Sequence, residues 1–266
     1  MDIAPALLEK IQKEYIRRVS ADPIVKQLNK ALAANRATQP QIRDYAVRLG
    51  ENLNASFRSV LKESALPDGK IYYNIADRTI TPMLRELHTD ALEYADLVQT
   101  SLNAKAKLGI GVVDPDFNLD RAKGLVDAVS GRTATEAAVY LGEPVTNFAE
   151  NVIDDWVHKN ADALYNAGFT PKIIRQTAPA ETRTTYSKPP REYEIPCEWC
   201  IGLEGEYEYS SVSNTGNDVF RRHVGCRCEI VYISPLRAER VNDHTPLKDV
   251  NEIAKRVNHN TEITRM

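Results

Sequence analysis

The four cysteines of this 266-residue chain all lie in its last third. Cys197 and Cys200 form a Cys-x-x-Cys pair, and Cys226 and Cys228 form a second pair close behind His223. Two cysteines separated by two residues can bring both thiolates to one ion from a tight turn, and a second pair can complete a tetrahedron of ligands. The clustering therefore predicts a metal site, and Zn²⁺ is the ion that this ligand set fits best.

Other states of the cysteines are reduced thiols, disulfides or an iron–sulfur cluster, and the residues alone leave them open. Disulfides are typical of secreted chains and of small domains that lack a core. The sequence from Met1 to Pro5 shows no basic-then-apolar leader, so we expect no export. No apolar run approaches about 18 residues, so we also expect no membrane span.

The zinc deaminases offer a rival interpretation of the first cysteine pair. Pro196-Cys197-x-x-Cys200 matches the second half of their signature. The first half is a His-x-Glu motif that supplies a ligand and a proton shuttle, and the sequence contains none. This interpretation also leaves Cys226 and Cys228 without a role, so we reject it.

Composition limits the remaining classes. The formal net charge is -3, so no overall electrostatic attraction to nucleic acid is expected. A hydrophobic content of 42% is enough for a packed core, although it lies toward the low end of globular proteins. The length fits one large domain or two modest ones.

The first 168 residues carry apolar positions at helical spacing. The periodic segments that we predict as helices are 5–19, 22–35, 39–64, 81–109, 118–129 and 143–166. Thr81-Pro82 resembles an N-cap followed by proline at the first helical position, so the longest helix is predicted to begin there. The carboxylates of Asp90, Asp154 and Asp155 are interpreted as parts of solvated helix faces.

From Phe169 onward the hydrophobic period changes toward two, which favours strands at 172–176, 207–209 and 228–233. The predicted fold class is therefore α+β. A mainly α-helical N-terminal body covers 1–168, and a small β-rich zinc-binding module covers 169–245. Proline, serine and threonine predict an extended arm at 176–194, and a C-terminal helix and tail are expected at 246–266.

The predicted site has the composition of a structural one. Four cysteines fill a tetrahedral shell and leave no position for water. His223 either replaces one cysteine as a ligand or donates a hydrogen bond from outside the shell. Trp199 and Tyr207 are expected to cover one side. A local positive patch, either solvated or in contact with DNA or an acidic partner, is formed by Arg221, Arg222 and Arg227.

The cysteine block also resembles the C-terminal signature of bacteriophage minor head proteins. The runs 197–207 and 220–228 are similar to those of Mu-type minor capsid proteins, and more closely to minor structural proteins of siphophages that infect Gram-positive bacteria. Glu198 and Val224-Gly225 stand where Mu-type relatives often have proline, which favours the siphophage branch. A weaker resemblance extends over about Ile71 to Tyr232. The residues that match the signature are Cys197, Cys200, Leu203, Gly205, Tyr207, His223, Cys226, Arg227 and Cys228.

The resemblance implies a virion component rather than an enzyme. It would be made in the host cytoplasm, enter the head during assembly and lie in the capsid interior or portal region. Its partners would be the portal or major capsid protein, in a multi-copy assembly without a membrane. Contact with packaged DNA is a further expectation.

Two other functions compete with this one. A ββα-metal (HNH-like) nuclease would use His223 as general base, with Asn214, Asn217 or Asp218 nearby. That fold needs a second metal-binding histidine, for which His244 is the only candidate close downstream, at a spacing that nothing justifies. A nucleic-acid-binding zinc protein fits neither the net charge nor the long helical half.

Overall fold

The computed structural model describes residues 2–177, 198–214, 218–223, 226 and 228–233. The helices within these ranges are α1 (Ala4–Ala21), α2 (Pro23–Ala33), α3 (Gln39–Val60), α4 (Tyr73–Lys105), α5 (Leu119–Val129), α6 (Ala134–Tyr140), α7 (Gly142–Asn166), α8 (Glu198–Gly202) and α9 (Tyr209–Val212). The strands are β1 (Lys172–Gln176), β2 (Gly205–Glu208) and β3 (Glu229–Ile233). The α+β class is confirmed. Nearly all of the predicted arm and the whole predicted C-terminal helix lie outside the described residues.

Helices α3 and α7 pack against each other at the centre of the molecule. Their backbones come close at Gly50, where a Cβ atom would lie 2.9 Å from the Thr146 Cα atom and 3.2 Å from the Ala149 Cβ atom. Glycine is therefore required by the packing at this point rather than by the backbone dihedrals. Helix α1 packs on α3 and α4, and α5 packs on α4.

Local capping signals place several helix ends where the sequence predicts them. The Asp22 carboxylate accepts hydrogen bonds from the backbone amides of Ile24 (2.8 Å) and Val25 (3.2 Å), so it caps α2. Gly168 adopts a φ of +88° directly after α7, a conformation that glycine adopts without strain.

The predicted start of the longest helix is wrong. Helix α4 begins at Tyr73, and Pro82 lies inside it. Thr81 is not a cap, since its hydroxyl donates to Asp77 Oδ1 at 3.0 Å within the same helix. The turns before the proline are buried at Ile75 and Ile80. This packing outweighs the backbone hydrogen bond that proline cannot donate.

The polar face of α4 is also less solvated than expected. The buried Tyr15 donates its hydroxyl to Asp90 Oδ2 at 3.0 Å. Burial, together with the charge of Glu86, raises the pKa of Asp90 to about 7. Asp90 is therefore half-buried and hydrogen-bonded rather than fully solvated.

Two further elements differ from the sequence-based prediction. Helix α6 was not predicted, although Thr133 and Glu136 form a capping box at its start. Tyr209, predicted in a strand, begins α9 instead. Its buried hydroxyl donates to Asp162 on α7 at 3.1 Å, and this contact turns the chain toward the helical body.

The three strands form an antiparallel sheet in the order β2-β1-β3. Ile173 of β1 pairs with Tyr207 of β2 and Tyr232 of β3. Ile173 and Tyr232 are buried in the same hydrophobic core as the helices, and the Tyr232 ring lies 6.0 Å from that of Trp156 on α7. The sheet is thus packed directly on α7. None of the helices in the described part of the chain is long and apolar enough to cross a membrane.

We expect Gly50→Ala to lower the free energy of unfolding by about 1–3 kcal/mol, because the new methyl group would force α3 and α7 apart. Gly124→Ala is a matched control, since Gly124 is exposed within α5 and no heavy atom lies within 4 Å of its Cβ position. It should raise the free energy by about 0.5–1 kcal/mol. Urea unfolding of both variants measures the difference, and equal effects would contradict the assigned α3–α7 contact.

Candidate metal centre

Three potential metal ligands meet at one point: Cys200 Sγ, His223 Nε2 and Cys226 Sγ all lie within 4.8 Å of one another. Cys200 Sγ is 3.0 Å from His223 Nε2 and 3.8 Å from Cys226 Sγ. Tetrahedral zinc with bonds of about 2.3 Å separates two sulfur ligands by about 3.8 Å. Cys200 and Cys226 are buried and His223 is half-buried. The three donors could therefore bind one metal ion together.

The structure describes one of the other two predicted cysteine ligands, Cys228, and leaves Cys197 outside the described residues. Cys228 is buried and packs with Cys200 and Cys226 in one cluster, although it is outside the group whose ligand atoms all converge. Cys197 lies outside the described residues, so its role as a ligand stays a prediction. His223, which the sequence left either in or outside the shell, brings its Nε2 atom into the converging group.

Short local structures deliver these ligands. Cys200 lies on α8, and the turn that follows is closed by the Leu203 amide, which donates to the Cys200 carbonyl at 3.2 Å. Tyr207 of β2 donates its hydroxyl to the Leu203 carbonyl at 3.0 Å and braces the same turn. On the other side, the Cys226 amide donates to the His223 carbonyl at 3.1 Å. The first half of the site is thus a turn that leads into β2, and a backbone hydrogen bond links His223 and Cys226 in the second half.

Arg175, which the sequence analysis did not single out, organises the second half of the site. It is fully buried in β1, and its Nη1 atom donates to the carbonyl oxygens of Val219 and Arg221, the latter at 2.8 Å. Its Nη2 atom lies 3.9 Å from Cys226 Sγ. Strand alternation places Arg175 on the same face as the buried Ile173, which was the available signal.

Arg222 and Asp154 correct two predictions. The Arg222 side chain is only 2% exposed, so it is not part of a surface patch. Its Nε and Nη2 atoms donate to the two oxygens of Asp154 on α7, the second bond being 2.9 Å long. Asp154 is 3% exposed and so is not on a solvated face. Neighbouring residues on a helix point about 100° apart, which leaves Asp155 half-exposed beside Arg121.

The same guanidinium joins the metal site to a second carboxylate. Arg222 Nη1 lies 3.9 Å from Cys226 Sγ and 3.5 Å from Glu150 Oε1. Glu150 is fully buried on α7 and also accepts a hydrogen bond from Arg43 of α3 at 2.6 Å. A continuous buried network therefore runs from Cys226 through Arg222 to the helical body.

The electrostatics favour a thiolate at Cys226. The hydrogen bond with Cys228 and the positive charge of Arg222 lower the pKa of Cys226 to about 4, against the opposing effect of burial. The same hydrogen bond raises the pKa of Cys228. The thiolate is the form of cysteine that binds metals.

Trp199 packs on two residues of the site, His223 and Arg175. The Trp199 ring lies 5.8 Å from the His223 ring, edge to face, and 5.2 Å from the Arg175 guanidinium.

The other residues of the nuclease hypothesis are exposed or lie outside the described residues. Asp218 accepts a hydrogen bond from Arg221 at 2.9 Å, and both side chains are exposed. Asn214 is exposed, whereas Asn217, Arg227 and His244 lie outside the described residues. His223, the general base in that hypothesis, directs its Nε2 atom toward Cys200 Sγ, at 3.0 Å.

No protein-family model matches the chain, and no curated protein or solved structure is significantly similar to it.

We expect purified protein to contain about one zinc ion per chain, because the buried donors fit one tetrahedral ion. Cys200→Ser and His223→Gln should each lower the zinc content in elemental analysis. His88→Gln is the control, since its ring packs edge to face on Phe117, at 5.6 Å, and touches neither the cysteines nor segment 218–223. The site would be refuted if wild-type protein prepared without chelator contained no metal and its thiols were freely reactive. Full zinc in His223→Gln would place His223 outside the shell.

Proposed function

We propose that the chain is a minor structural protein of a phage head, stabilised by a structural zinc ion. The observation that carries the proposal is that the buried Cys200 and Cys226 and the half-buried His223 lie together, within the run that resembles the minor head signature. The turn residues of that run, Leu203 and Tyr207, brace the cysteine turn. A role for these positions in holding the chain together explains their place in the signature.

The proposed partners are the portal protein or the inner surface of the capsid, and the proposed location is the virion, after assembly in the host cytoplasm. Protein contact is favoured over DNA contact by the state of the predicted arginine patch. Arg222 is buried and paired, and Arg221 is exposed but paired with Asp218. A positive surface that would attract phosphates is therefore weaker than the sequence suggests.

Proteomics of purified virions tests this proposal. We expect the chain in filled heads of the phage that encodes it, in few copies relative to the major capsid protein. We expect its loss from particles assembled without the portal protein. A chain absent from filled heads would refute a structural role in the virion, and unchanged incorporation without the portal would refute the portal as partner.

The proposal also predicts no nuclease activity, since a shell filled by protein ligands leaves no position for an activated water. Supercoiled plasmid should stay intact with the purified protein and Mg²⁺, Mn²⁺ or Zn²⁺. Plasmid cleavage that disappears in His223→Ala would overturn the structural interpretation in favour of the nuclease.

A further inference from the structure

The Arg222 side chain contacts both the candidate metal site and the helical body. It precedes the potential ligand His223 in the chain, lies beside Cys226 Sγ and binds Asp154 on α7. We propose that Arg222 couples metal binding to the docking of segment 218–223 on α7. Arg222 acts in this as a positioning residue. The inference rests on the metal site proposed above and is independent of the assignment to a phage head.

Helix α7 carries two buried acidic side chains next to Arg222. Glu150 and Asp154 are one helical turn apart, and both carboxylates are buried. Removing a carboxylate from water is costly unless a cation compensates it. Arg43 is a cation for Glu150, at 2.6 Å, whereas Arg222 binds both oxygens of Asp154. Withdrawal of Arg222 would therefore leave Asp154 buried without this compensation, so docking is favoured whenever Arg222 is held in place.

Arg222 is held in place by contacts of its own segment and by the potential ligands that follow it. Segment 218–223 contains a short 3-10 turn, Asp218–Phe220, and belongs to neither a long helix nor a strand. Arg175 binds its carbonyl oxygens, and the Phe220 ring packs at 4.8 Å on that of His158. Immediately after Arg222 come His223 and, three residues later, Cys226, whose ligand atoms converge with that of Cys200. A bound ion would thus fix the chain on the C-terminal side of Arg222.

The charge of the metal-bound site would also favour a docked Arg222. Two or more thiolates with one divalent ion give a neutral or negative centre, and Arg175 and Arg222 each place a guanidinium 3.9 Å from Cys226 Sγ. Such neighbours stabilise the thiolate form that the ion requires. Because binding free energies are reciprocal, a residue that improves metal affinity when docked makes the metal improve docking to the same extent.

Asp154→Asn tests the coupling, and Asp155→Asn is its matched control. Both variants replace an aspartate of α7 by its amide, but Asp155 pairs with Arg121 at the surface, at 3.3 Å. Zinc affinity is measured on the full chain by competition with a chromogenic chelator. We expect Asp154→Asn to weaken zinc binding about 10-fold, the size typical for loss of a partner behind the ligands, and Asp155→Asn to leave it within about twofold. Equal affinity of Asp154→Asn and wild type would overturn the proposal.

A second measurement separates coupling from a general loss of stability. Asp154→Asn should lower the urea midpoint of the zinc-loaded protein more than that of the chelator-treated protein. Equal shifts in both states would mean that the ion pair is structural only, and would overturn the proposal. If wild-type protein binds no zinc, the metal site itself fails. If wild type binds zinc and the two variants behave alike, only the coupling fails.

Hydrogen exchange on the wild-type chain keeps the test valid should Asp154→Asn fail to fold. Removing zinc should speed exchange at residues 218–223 and in the part of α7 around Asp154. Exchange in α1, which packs on α2, α3 and α4, should be unchanged. Unchanged exchange at 218–223 after zinc removal would overturn the proposal.

Discussion

Two buried carboxylates on α7 constrain the rest of the structure. Glu150 and Asp154 face inward from the central helix, and the guanidinium groups that meet them come from α3 and from the segment before Cys226. A buried ion pair adds little net stability, but losing one partner is costly, so such pairs specify an arrangement more than they strengthen it. Other placements of α3 or of the cysteine-bearing segment would leave a buried carboxylate without its cationic partner. The network therefore favours one relative position for α3, α7 and the segment that carries Arg222.

The sheet depends on this arrangement because it is small. Its strands have five, four and five residues, and a sheet of that size gains most of its stability from what it packs against. One face supplies Ile173 and Tyr232 to the helical core. The turns at the cysteine end have little apolar area of their own. The proposed structural zinc ion, which would contribute on the order of 10 kcal/mol to folding, would hold these turns together.

The sequence predicted those features that depend on local chemistry. Strand β1 was predicted with its observed bounds, and the start of α2 was predicted within one residue. The cysteine spacing likewise predicted that Cys200, His223 and Cys226 come together, which the structure shows, whereas their role as metal ligands stays a prediction. The wrong predictions concern contacts between parts of the chain that are distant in sequence. Burial of the preceding turns keeps Pro82 inside α4, and Asp154 meets Arg222 from 68 residues away, a pairing that no sequence period reveals.

The surroundings of the cluster bear on the choice between a structural and a catalytic centre. A catalytic metal needs an open position that water and substrate can reach. Here Cys200, Cys226 and Cys228 are each at most 2% exposed, and the ring of Trp199 lies against His223. The neighbouring cations are also occupied, since Arg175 holds backbone carbonyls and Arg222 holds Asp154. Groups engaged in this way cannot bind a substrate without breaking the contacts that position the ligands. We therefore favour a centre that holds the chain in a fixed shape over one that reacts, in keeping with the proposed role in an assembled particle.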